Sequence, residues 1–227
     1  MTAVPLAARP RPFDLDPDRT AVIVNDMQNA FVSPGGYLDR AGFDISGAAR
    51  VVERVGRVLA AARAAGVPIF HSQNGFDASL DDVAPGSPWH AKSPAVALMR
   101  ERPELAGQIL IKGTWDYAIV DALAPQEGDI VVPKTRPSCF AGTALDMMLR
   151  ARGVRAIAVC GIASNVGVEW TLRDGLSLEY FGLLIEDATM PAGPAYVHDA
   201  TVFNVERFIG WVTTSEDFCR ALGSARA

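Results

Sequence analysis

The chain has 227 residues, 49% of them hydrophobic, enough for one globular domain (1–227) with a full core. Its formal net charge is −5 and its Lys and Arg residues are scattered, which argues against nucleic acid as a partner. No apolar run reaches the ~18 residues of a membrane helix. The opening MTAVPLAARPRPFDLDPDR lacks the apolar core of a secretory signal, so a cytoplasmic protein with no membrane partner is expected.

Residues 1–19 are rich in Pro and Arg and read as an extended N-terminal arm. TAVIVND (20–26) is β-branched with little alternation, the pattern of a strand buried on both faces. A loop rich in Gly and aromatics follows, and Tyr37 within it is expected in a lid or an interface. From Ser46 to Ala65 apolar residues recur at helical spacing, and Gly66 is a suitable stop. VPIFHS (67–72) is the second strand, and the Pro- and Trp-containing segment 73–115 is expected to wall a pocket. DIVVPK (129–134) is the third strand, with a helix over 143–153 after it. RAIAVCG (155–161) is the fourth, with a helix over 165–178, and YFGLLIED (180–187) the fifth. Two further helical patterns follow Gly193.

Strands and helices alternate, and the strands are apolar throughout. The expected fold class is therefore α/β, a three-layer αβα arrangement around a mostly parallel sheet. Sites in such folds lie beyond the carboxyl ends of the strands. That selects Asn25-Asp26, Gln73-Asn74, Lys134, Gly161 to Gly167, and Asp187. No phosphate-binding glycine motif follows any strand, so no nucleotide cofactor is expected. Cys139, Cys160 and Cys219, and His71, His90 and His198, stand at no metal-like spacing, so reduced thiols and no metal are expected.

Asp26 ends an apolar strand, where a carboxylate loses part of its hydration and suits a general base. The plainer reading is a turn cap. Lys134 also ends a strand and can pair with such an Asp or with developing negative charge; alone, it reads as an edge lysine. CGIASNVGVEWTLRDG (160–175) turns from a strand into a helix that opens at Ser164. The Ser164 hydroxyl is expected to cap that helix by accepting from the amide near residue 167. Free N–H groups at a helix start carry positive potential and can hold an oxyanion.

NDMQNAF, VPKTRPS and GIASNVGVEWT resemble, in order and context, the motifs of the isochorismatase-like cysteine hydrolases. PGGYLD, QNGFD, PGSP, KGTWDY and TLRDGLSLEYFGLLIEDAT extend the likeness over almost the whole chain, toward the ureidoacrylate amidohydrolases of pyrimidine-ring catabolism. The resemblance implies Asp26 as the base, Lys134 as its partner, and residue 167 as the place of the family's nucleophilic cysteine. It implies an oxyanion hole from the amides of Ala163 and Gly167, a non-proline cis peptide near Ile162-Ala163, and a homo-oligomer. It also implies a reaction: the ureido C–N bond is cut, and aminoacrylate and carbamate leave. The related nicotinamidases hold a metal after the second strand, whereas this chain has Gln73 and Asn74 there.

Residue 167 departs from the family, because it is glycine. Three readings compete: a chain altered to trap a ligand, a natural protein working without the thiol, or a thiol supplied by another cysteine. Isochorismatases lack the thiol and hydrolyse a vinyl ether, so that activity is one alternative, and an inactive small-molecule binder is another. Cys160 reads as a small buried hydrophobe, while Cys139 lies nearer the site. The expectation is a chain that binds its substrate and turns it over far more slowly than a version with a thiol restored at 167. Asn74 and Gln28 are expected to hydrogen-bond the ureido or carboxylate group, and Arg136 to meet the carboxylate. Phe31, Trp89 and Trp115 are expected to wall the pocket. Glu169 and Glu186 read as structural.

Overall fold

The structure is a computed structural model, and residues 3–225 are described here. Two short strands, β1 (Val4–Leu6) and β2 (Phe13–Leu15), pair antiparallel. The remaining strands are β3 (Thr20–Asn25), β4 (Ile69–Asn74), β5 (Ile130–Lys134), β6 (Ala156–Ile162), β7 (Phe181–Met190) and β8 (Trp211–Thr213). They form one parallel sheet in the order β5-β4-β3-β6-β7-β8. In chain order the helices are α1 (Asn29–Val32), α2 (Tyr37–Arg40), α3 (Ala48–Ala65), α4 (Pro88–Lys92) and α5 (Pro94–Glu101). Then follow α6 (Leu145–Ala151), α7 (Glu169–Ser177), α8 (Ala195–Asn204) and α9 (Ser215–Ser224).

The strands are apolar on both faces because both faces are covered. Val22 and Val24 pack with α3 and α9 through Val55, Leu59 and Phe218. The alternate residues Ala21 and Ile23 pack with α6 and α7 through Leu145, Leu149 and Leu172. Three layers result, as expected. Gly66 ends α3 at φ +71, the left-handed stop that only glycine adopts without a steric penalty.

Several expectations change. The fifth expected strand, β7, runs to Met190, three residues beyond its expected end. The N-terminal arm is a hairpin rather than a free extension: Leu6 and Leu15 are fully buried, and the Arg9 backbone pairs with Val212. The second strand runs to Asn74, two residues beyond its expected end, because Gln73 and Asn74 pair with Pro133 and Lys134 of β5. β8 was not expected; three residues are too short for a periodicity to show, and its place comes from pairing with β7.

Candidate active site

β3 is flanked by β4 on one side and β6 on the other, so the chain reverses its winding there. Such a switch point opens a crevice beyond the strand ends. Asp26 follows the last residue of β3 at φ +50, a left-handed conformation uncommon for a residue with a side chain. Its Oδ2 accepts from Lys134 Nζ at 2.6 Å and its Oδ1 from Ser72 Oγ at 2.6 Å. The Asp26 backbone N–H donates to the same Ser72 hydroxyl at 3.2 Å. Lys134 Nζ also donates to the carbonyls of Pro137 (2.9 Å) and Arg136 (3.2 Å), so all three of its protons are used. Three neighbouring strands, β3, β4 and β5, thus build one buried, fully bonded ion pair. Burial of such a pair is tolerated only when its remaining hydrogen bonds are satisfied.

The other side of the crevice is the end of β6. Gly161 has φ +103, and a Cβ there would overlap the Asn25 carbonyl oxygen, so only glycine lets β3 and β6 stay this close. The Ile162-Ala163 peptide is cis, as the resemblance implied. Residues Ser164–Val168 form a π-helical turn that leads into α7. Ser164 does not cap it: its hydroxyl is buried with no partner among the described residues, and the cap position belongs to Ala163. The wider first turn carries Ser164 into the interior, away from the amide it was expected to meet.

Between these two sides lies a cavity of about 210 Å³. Asp26, Asn74, Phe31, Ala163 and Gly167 line it, together with Trp89, Ser93 and Leu110 from the 73–115 segment. Tyr37 lines it too; it is buried in α2 rather than exposed in a lid, and packs edge-on to Phe31. Burial, aided by the charge of Asp116, pushes the Tyr37 phenol up to about 12, so it remains a protonated donor. Asn74 Oδ1 and Trp89 Nε1 are buried and have no partner among the described residues.

Three residues expected at the substrate do not line the cavity. Gln28 is fully buried and ties loops together: its Nε2 donates to the carbonyls of Asn74 (2.9 Å) and Tyr117 (2.7 Å), and its Oε1 accepts from Asn74 N–H (2.7 Å). Arg136 turns its guanidinium to the carbonyls of Asp82 and Thr135. Trp115 is 54% exposed, and its carbonyl accepts from Asn29 Nδ2 and the Ala118 amide. Periodicity gives no direction to a loop side chain, which is why these three were misassigned. Glu169 and Glu186 are held in bonds to Thr201 and Arg9 respectively.

Ser72 and Asp116 were not singled out as site residues, and Asn25 was selected only by its place at a strand end. A polar residue inside an apolar strand was the available signal for Ser72 and Asn25, because a buried polar group needs a partner. Asp116 accepts from the amides of Tyr37 (3.1 Å) and Leu110 (2.7 Å), both cavity-lining residues. Among the described residues, no group of three or more His, Cys, Asp or Glu stands where it would hold a metal ion. None of the three cysteines lines the cavity. Cys139 and Cys160 are fully buried; burial pushes the Cys139 thiol up and the Cys160 thiol to about 12.

The model of the isochorismatase domain matches residues 20–217. The ureidoacrylate amidohydrolase RutB of Azorhizobium caulinodans is 58% identical over 218 residues, covering 95% of this chain and 96% of that protein. The ureidoacrylate amidohydrolase RutB of Agrobacterium fabrum is 56% identical over 222 residues, covering 97% of each. Among solved structures, a cysteine hydrolase from Pseudomonas syringae pv. phaseolicola superposes with a TM-score of 0.80 at 31% identity, over 99% of this chain and 100% of that one. From its Asp26–Lys134 pair, its sheet order and this near-complete likeness, the chain belongs to the isochorismatase family.

Proposed function

We propose that this chain is an amidohydrolase that cleaves the ureido C–N bond of ureidoacrylate, yielding aminoacrylate and carbamate in pyrimidine degradation. The observation that carries this reading is the Asp26–Lys134 pair, 2.6 Å apart, whose Asp26 lines a small cavity together with Ala163 and Gly167. Asp26 takes a proton from an attacking water and returns it to the departing nitrogen; the water oxygen bonds to the ureido carbon, the C–N bond breaks, and carbamate keeps that oxygen. Lys134 fixes the carboxylate and balances its charge. The amides of Ala163 and Gly167, at the first turn of a helix, stabilise the carbonyl oxygen as it gains charge. The unpartnered Asn74 Oδ1 suits the ureido N–H groups, while Trp89 Nε1 and the protonated Tyr37 suit the substrate carboxylate. The cavity holds the volume of about seven waters, appropriate to a substrate of this size. The named activity of the two relatives above supports the substrate. With glycine at 167, turnover is slow compared with a thiol-bearing relative.

We read the chain as one cytoplasmic domain that works as a homo-oligomer. Exposed Trp170, Tyr196, Phe203 and Phe208, on α7, α8 and the turn after α8, favour self-association. The function is tested by following ureidoacrylate by NMR with the parent chain and Asp26→Asn. Loss of at least about 100-fold in kcat/KM is expected, the usual scale for a general base. Undiminished turnover by Asp26→Asn would remove the carboxylate from the chemistry.

A further inference from the structure

Gly167 is not surrounded by open space. A Cβ built on it would overlap Asn25 Nδ2 and stand 3.0 Å from Asn25 Cγ and Oδ1. The Asn25 side chain is fully buried and bonded at both ends. Its Nδ2 donates to the Ile162 carbonyl at 2.5 Å, and its Oδ1 accepts from Cys139 Sγ at 3.1 Å. Cys139 in turn is tied to residue 167 by a second route. The Cys139 amide donates to Thr171 Oγ1 at 3.0 Å, and that hydroxyl donates to the Gly167 carbonyl at 2.6 Å. A chain of hydrogen bonds thus runs from the Ile162 carbonyl through Asn25, Cys139 and Thr171 to the Gly167 carbonyl, and the backbone from 162 to 167 closes the circuit.

We infer that Asn25 is a positioning residue that decides whether residue 167 can carry a nucleophile, and that Asn25, Cys139 and Gly167 are an interdependent set. The inference deepens the amidohydrolase reading and rests on it for its kinetic consequence. A side chain at 167 requires the Asn25 amide to leave its place, and the amide cannot do so freely. It would surrender its bonds to Ile162 and Cys139 in a region already filled, where an unpaired polar group is costly. Restoring a thiol at 167 by itself therefore does not restore a thiol enzyme, contrary to the expectation from the sequence. The space beside the glycine is filled by Asn25, so residue 167 does not stand as an isolated gap.

The test uses the full chain, Gly167→Cys, and the double variants Asn25→Ala/Gly167→Cys and Asn25→Val/Gly167→Cys. The second double variant covers failure of the first to fold, checked by thermal melts. Two readouts are taken: the alkylation rate of the introduced thiol by iodoacetamide, located by peptide mass, and ureidoacrylate turnover with a search for a carbamoyl adduct. The thiol of Gly167→Cys is expected to alkylate slowly, with turnover close to the parent. In a double variant both rates rise at least about tenfold, which is about 1.4 kcal/mol off each barrier, and the adduct forms on the introduced thiol. Equal alkylation and turnover in the single and double variants would overturn the inference. A large alkylation difference with no ureidoacrylate turnover in any variant would uphold Asn25 in its role and overturn the amidohydrolase reading instead.

Discussion

Gln28 lies two positions beyond Asp26, yet its amide is spent on Asn74 and Tyr117 and it does not line the cavity. The same side chain in an open loop would be a plausible substrate contact. What makes it a strut is complete burial with every engaged atom facing backbone. Gln28→Leu keeps the volume roughly constant but leaves the Asn74 amide and carbonyl unpaired. We expect a loss of about 3 kcal/mol of stability, at 1–3 kcal/mol for each buried group left without a partner. In a chain of this size that lowers the melting temperature by roughly 10 °C. A melting point unchanged by the substitution would mean that these bonds are replaced by water. The type of residue was legible at Asp26, Lys134, Asn74 and Gln28 alike. Which of them shares a cavity was not, because direction in a loop depends on distant partners.

The loop that carries Asp116 shows the same dependence one level up. Its carboxylate receives the amides of Leu110, near the end of the 73–115 segment, and of Tyr37, at the start of α2. Two elements far apart in sequence are thereby held at one wall of the cavity. Burial raises the proton affinity of this carboxyl, and the two amides counter it. Asp116→Ala would leave both N–H groups buried and unpaired, with an expected cost of about 2–4 kcal/mol. The wall would loosen with it, so KM for ureidoacrylate should rise more than kcat falls. A selective fall in kcat would instead assign Asp116 to the chemistry. KGTWDY was visible as a motif, but nothing in its spacing pointed to the amides that its aspartate would find.

Across the whole molecule, one cluster links the sheet to its covering helix: Arg63 of α3, His71 of β4 and Asp129 just before β5. Asp129 Oδ2 accepts from Arg63 at 2.5 Å and lies 3.3 Å from His71 Nε2. Burial lowers the His71 pKa below 6.5, and Asp129 only partly offsets this. Burial raises the Asp129 carboxyl, but Arg63, the Gln126 amide and His71 outweigh it, leaving it below 3.8. A histidine depressed in the folded state binds its proton more readily when unfolded. Stability is therefore present in full above 6.5 and declines as the pH falls below it. The Asp129 contribution has the same sign and is lost further down, as the pH falls below 3.8. Melting temperatures should fall between about pH 7 and pH 5, and His71→Leu should flatten that slope even if it lowers the whole curve. An equal slope in the variant would assign the acid sensitivity elsewhere.

Local chemistry and repetition were enough to determine the alternation of apolar strands and helices, the three layers, the left-handed stop at Gly66, and the candidates Asp26 and Lys134. Each depends on residues close in the chain, where periodicity and steric preference act directly. The order of the strands, the docking of the N-terminal hairpin, the strand β8 and the bonding of Asp26 to Ser72 and Lys134 were decided only by the tertiary structure. So was the occupation of the space beside Gly167 by Asn25. The reason is physical: a buried polar group takes its identity as strut, base or obstruction from the partner that satisfies it, and in this fold those partners arrive from strands and loops as many as 206 residues away.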